Sequence, residues 1–187
     1  MKKIVLSVLI AMSVAAFVQA GEKGAPDVPE APVLGEEDIP VSIARTEVGD
    51  WALYALADGS SLKLTVVERW TEHGDDHLVI ESAMTPPGKG GRKKVHVEEE
   101  LVSVKERVAD ARDLGPFDFV TEADVLVDGQ KIDAVVVNYV EDGKVVRQSW
   151  FSDSVPVYGL VRGVRIDGDK RTISLNLKRF GSVGDED

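Results

Sequence analysis

The sequence predicts a mainly β fold: a curved antiparallel meander, half-barrel-like, of about nine strands with one amphipathic helix. Three observations lead there. Short apolar segments recur from Val41 onward, several alternating with polar residues. Asp-Gly pairs at 58–59, 128–129, 142–143 and 167–168 mark the tight reversals typical of hairpins. One segment, Glu98 to Leu114, departs from the period of two.

Residues 1–20 read as a secretory signal peptide: Lys2 and Lys3, an apolar run from Ile4 to Val18, and a small-residue cleavage signature at Val18-Gln19-Ala20. The run is shorter than the roughly 20 residues a spanning helix needs. The expected address is the periplasm, or alternatively the extracellular space. The 187-residue chain holds no cysteine, so neither a disulfide nor a thioether-linked lipid anchor is available. Residues 21–40 combine Pro26, Pro29, Pro32 and Pro40 with six acids and one lysine, the composition of a disordered leader. Residues 41–181 form the expected single β-rich domain, and 182–187 an acidic tail.

The strands follow in order: Trp51 to Ala57, Ser61 to Trp70, His77 to Met84, Lys94 to Val97, Val120 to Val127, Ile132 to Val140, Lys144 to Phe151, Leu160 to Ile166 and Arg171 to Leu177. Leu62, Leu64 and Val66 oppose Lys63 and Thr65, and Ile173, Leu175 and Leu177 oppose Thr172, Ser174 and Asn176, which predicts one wet face for each of these strands. Ala134 to Val137 is apolar throughout and is expected near the middle of the sheet, covered on both sides. In Glu98 to Leu114, Leu101, Val104, Val108 and Ala111 recur at helical spacing, acids crowd the first turn, and Gly115-Pro116 supplies a stop. The competing pattern continues the preceding strand through Val102 and Val104. The helix is the expected reading, with its stripe laid on the concave face of the sheet.

The net charge of −11 includes the two signal lysines, and most of the acidity sits in the leader and tail. The domain itself has interspersed charges and no basic stripe, which excludes a broad nucleic-acid footprint. His73 and His77 flank Asp75 and Asp76, but Gly74 makes the segment a hairpin loop, so no metal site is assigned. Lys89, Arg92, Lys93 and Lys94 form a basic, glycine-rich loop suited to an anion such as a phosphate or carboxylate; a solvated hairpin tip is its plain alternative. It lacks the Ser or Thr of a nucleotide-binding loop. No nucleophile setting, carboxylate pair or cofactor motif stands out, so enzymatic activity is unsupported and no cofactor is expected.

The segment from Asp128 to Arg162, with Trp150-Phe151-Ser152, Val155-Pro156 and Gly159-Leu160-Val161, resembles a pattern in uncharacterised exported bacterial proteins, and Gly49-Asp50-Trp51 resembles their opening. That resemblance implies no activity. At fold level the meander with a helix across it looks like the half-barrel of periplasmic lipoprotein carriers, which hold acyl chains between sheet and helix. That resemblance supplies no site residues. The functional reading is a non-catalytic carrier of an apolar envelope ligand, lipid or otherwise, held between the helix stripe of Leu101, Val104 and Val108 and strand side chains with Trp150 and Tyr158 beside them, with Arg162 or Arg165 available for an anionic head group. The alternative is a structural or protein-interaction module of the cell envelope with a filled core and no small ligand.

Overall fold

The computed structural model describes residues 42–88, 94–107 and 119–182, the side chains from 119 to 122 excepted. A 3-10 turn at Ser42–Arg45 leads into nine strands: β1 (Trp51–Leu56), β2 (Ser61–Glu72), β3 (Asp75–Thr85), β4 (His96–Ser103), β5 (Phe119–Val127), β6 (Gln130–Glu141), β7 (Lys144–Phe151), β8 (Leu160–Asp167) and β9 (Lys170–Gly181). They form one sheet in the order β4-β3-β2-β1-β9-β8-β7-β6-β5. Every pairing is antiparallel, including the return of β9 to β1. Strands consecutive in sequence are therefore neighbours everywhere except at β4 and β5, which are the two edges of an open sheet.

Turn chemistry explains the meander. At Asp128–Gly129 and Asp142–Gly143 both central residues have positive φ, the mirror-image turn whose twist matches the flanking strands. His73–Gly74 adopts the same geometry, with histidine in the place aspartate holds elsewhere. The first Asp-Gly pair acts differently: Asp58 Oδ1 accepts the Ser60 amide at 2.9 Å, while Gly59 N donates to Leu56 O at 3.0 Å.

The inner face is apolar and continuous. Tyr54, Leu62, Leu64, Val66, Leu78, Ile80 and Val102 pack in one cluster with Val125, Val127, Ile132, Ala134, Leu175 and Leu177. Residues of β2 and β3 thus share a core with residues of β5 and β6 from the far half of the sheet order, which requires strong curvature. The ion pair between Arg179 on β9 and Asp128 at the β5–β6 turn, 3.2 Å, spans the same curl. Each fully buried Leu, Ile or Val here contributes about 1.5–3 kcal/mol.

Two expectations need correction. Glu98 to Ser103 is not the first half of a helix: it continues β4, in register with β3 from His77↔Ser103 to Met84↔His96. Burial shows why. Val102 is buried while Leu101 is 64% exposed, a period of two that the apparent helical stripe concealed. A helical turn follows only at 104–107, and Val108 with the rest of the expected helix lies outside the described residues. Secondly, Ala134 to Val137 lies in β6, next to the edge strand β5 rather than mid-sheet. Its two faces are nonetheless covered, Ala134 by the main core and Val137 by a second cluster with Tyr139, Val146 and Phe151. Among the described residues no helix is long and apolar enough to cross a membrane.

Candidate functional site

Among the residues expected to surround a ligand, Val104, Trp150 and Tyr158 all belong to or pack against the main core cluster. Val104 is buried in the main core, whereas Leu101 points away from it on the outer face of β4. Trp150 packs on the core from β7, and Arg162 stands opposite it on β8 with its guanidinium 5.9 Å from the indole ring. Arg162 Nε is committed to Asn176 Oδ1 at 2.9 Å. Tyr158 packs against the same core, its hydroxyl donating to Glu100 Oε2 at 3.4 Å beneath the Arg107 guanidinium, which also pairs with Glu100 Oε1 at 3.1 Å. Burial, reinforced by the Glu100 carboxylate, pushes the Tyr158 phenol well above its ordinary value, so it stays a neutral donor. Of the basic loop, Lys94 is exposed and Lys89, Arg92 and Lys93 lie outside the described residues.

Within the segment that carries the resemblance, residues 152–159 form a closed loop between β7 and β8. Ser152 N donates to Gly159 O at 2.8 Å and closes it. Val155 and Val157 are fully buried beneath it. Val157 N donates to Thr46 Oγ1 at 2.9 Å, which pins the loop to the entry of the domain. An open concavity of about 260 Å3 lies beside it, with a mixed lining that includes Arg45, Asp50 and Asp153 together with Pro156 and Phe180.

A different surface stands out on the outside of β2–β4. Cross-strand registers define its rows: Trp70 and His77 with Ser103, then Glu68 and Val79 with Leu101, then Thr65 and Glu81 with Glu99, then Lys63 and Ala83 with Val97. Leu101 is 64%, Val97 51% and Trp70 37% exposed, although all three sit in regular strands. Trp70 stacks on His77 with ring centroids 5.5 Å apart. The surface ends at an open edge, because β4 has no strand on its far side among the described residues. Sequence reasoning missed this edge by assigning Glu98, Glu99 and Glu100 to a helical first turn. The signal for it was Val97 and Leu101, four residues apart with Glu99 midway, which a period of two places on one face.

One end of this surface is held by carboxylates. Asp75 accepts from Ser103 Oγ at 2.6 Å and from the Lys105 amide at 3.0 Å, and Asp76 accepts from Thr71 Oγ1 at 2.6 Å and Arg69 Nη2 at 2.7 Å. These bonds, Ser103 foremost for Asp75 and Thr71 for Asp76, hold both carboxyls below the ordinary aspartate value. Folded values lower than unfolded ones give stability that is complete above about pH 4 and lost as pH falls through the folded values. Thermal unfolding between pH 7 and pH 2 should therefore show an acid decline. Asp76→Asn should lower the melting temperature at pH 7 and make that decline shallower; an unchanged acid slope would remove Asp76 from the account.

Among the described residues no group of three or more His, Asp or Glu side chains is arranged to hold a metal ion. No family model matches this chain, and no curated protein does. Among solved structures, a "putative exported protein with YmcC-like fold" from Bacteroides fragilis aligns with a TM-score of 0.46 and 12% sequence identity, over 77% of this chain and 98% of that one.

Proposed function

We propose that this protein is an exported, non-catalytic interaction module of the cell envelope, which works by contacts on the outside of its sheet rather than by carrying an apolar ligand inside it. The observation behind this reading is where the apolar side chains lie. Those of the inner face are packed against one another from β1 round to β6, with Tyr54 and Leu78 at most 1% exposed. Of those left in solvent, Trp70, Val97 and Leu101 share the outer face of β2–β4, while others, such as Leu126 on β5 and Ile173 on β9, stand apart from it. Exposed apolar side chains clustered on one surface and rimmed by charge are the usual mark of a protein contact. The carrier alternative needs a vacant apolar volume, and the concavity beside the 152–159 loop is open with a mixed lining.

Native mass spectrometry of the mature protein purified from its own envelope, before and after incubation with phospholipid, tests this directly. The expected spectrum shows the bare polypeptide mass in both cases. A near-stoichiometric lipid or other apolar molecule, released by solvent extraction, would replace this reading with the carrier.

A further inference from the structure

We infer that the edge of β4, which has no neighbouring strand among the described residues, takes up an extended segment of a different protein as a tenth strand, and that the side chains this segment turns to the outer face read apolar, basic, apolar at alternate positions. The inference rests on the interaction-module reading and specifies the partner of that surface.

An edge strand presents a row of backbone donors and acceptors to which another strand can pair. The chain leaving β4 does not take that place with its first turn: Val104 is buried in the core, and Arg107 folds back to Glu100 and Tyr158 on the inner side. On the outer face β4 shows Val97, Glu99 and Leu101 at alternate positions. A strand added at the usual spacing of about 4.8 Å would set its own side chains directly beside these three.

The middle position carries the chemical preference. Glu99 lies directly opposite Glu81 on β3, and neither carboxylate has an ion-pair partner among the described residues. Like charges placed directly across a strand pair repel. A lysine or arginine on the added strand would face Glu99 at close range and Glu81 one strand further in. Apolar residues on either side of it would cover Leu101 and Val97.

The same row disfavours a second copy of this chain. Two β4 edges paired about Glu99 would place glutamate against glutamate. Glu98 and Glu100 extend the acidic run, although each has a partner, His96 at 2.9 Å and Arg107 at 3.1 Å. Protection of the edge from aggregation would account for the acids alone. It would not account for Leu101 and Val97 being left 64% and 51% exposed on either side of them.

The test uses two synthetic nine-residue peptides of alternating threonine, with Val-Thr-Lys-Thr-Val or Val-Thr-Glu-Thr-Val at the centre, titrated into the isotopically labelled mature protein and followed by amide NMR. The lysine peptide should shift the amides of His96–Ser103 saturably and leave those of β7 and β8 unmoved. Glu81→Lys combined with Glu99→Lys should weaken it about fivefold or more and transfer the preference to the glutamate peptide. Glu99→Gln, which removes one charge without reversing it, should give an intermediate loss and serves if the double variant fails to fold. Equal binding of both peptides, or no shift along β4 at millimolar peptide, would overturn strand addition. A bare mass in the native spectrum alongside that failure would leave the interaction module standing with a different working surface. A bound lipid would remove the module itself.

Discussion

Gly159→Ala should destabilise the protein by about 2–5 kcal/mol, while Gly143→Ala should cost only about 1–2 kcal/mol. Both glycines have positive φ, +68° and +71°, so both alanines share the cost of a left-handed backbone. They differ in what a side chain would meet. A Cβ at Gly143 meets nothing within 4 Å; one at Gly159 would lie 2.9 Å from the carbonyl oxygen of Ser152 and 3.0 Å from Ser42 Oγ. The Ser152 oxygen is backbone and belongs to the residue that closes the loop, so relief requires the loop itself to move. Urea unfolding of the two variants measures the difference, and equal midpoints would mean that the close approach at Gly159 has no energetic weight. If the loop is architectural, peptide binding along β4 should survive in whatever fraction of Gly159→Ala remains folded.

That loop also marks where the sequence was legible and where it was not. Strand positions were readable because Leu62, Leu64 and Val66 alternate and Asp-Gly turns punctuate them, both being local properties. The return of β9 to β1 is not local. It is a consequence of curvature, and nothing in Arg171 to Leu177 names Tyr54, Ala55 and Leu56 as neighbours. Glu98 to Ser103 failed for a definite reason. Edge strands tolerate acids that central strands do not, so Glu98-Glu99-Glu100 broke the alternation and matched an acidic helix start instead. Of the residues singled out for ligand contact, Val104 is buried in the core and Trp150 and Tyr158 pack against it, while Val108 lies outside the described residues. Leu101 was assigned to a helical stripe shared with Val104; in β4 it lies instead on the face opposite buried Val102. Thr46 attracted no attention, since a single threonine before a strand carries no pattern; its partner lies 111 residues away.

Thr46→Val should nevertheless destabilise the protein by about 1–3 kcal/mol, whereas Thr46→Ser should cost about 1 kcal/mol or less. Thr46 is 1% exposed, and its hydroxyl makes two bonds, donating to Ser42 O at 3.1 Å and accepting from Val157 N at 2.9 Å. Valine keeps the shape and removes both bonds, which leaves the buried Val157 amide without an acceptor. Serine keeps the hydroxyl and loses one methyl. The consequence is largest at Val157, a β-branched residue held at φ +69°. Such a conformation persists only while its surroundings dictate it. Without the Thr46 bond, Val157 gains by returning to negative φ, and the 152–159 loop loosens with it. Hydrogen exchange separates this from a general loss of stability: in Thr46→Val the Val157 and Ser152 amides should lose protection out of proportion to the amides of β1 and β2. A uniform loss across all strands, or identical midpoints for the valine and serine variants, would show that the hydroxyl does not pin the loop. Through Arg69, which donates to Thr46 O and to Asp76, the same residue reaches the β2–β3 hairpin that carries Trp70 and His77. Loosening at Thr46 should therefore extend to the far end of the outer surface and weaken peptide binding there less than it weakens the loop.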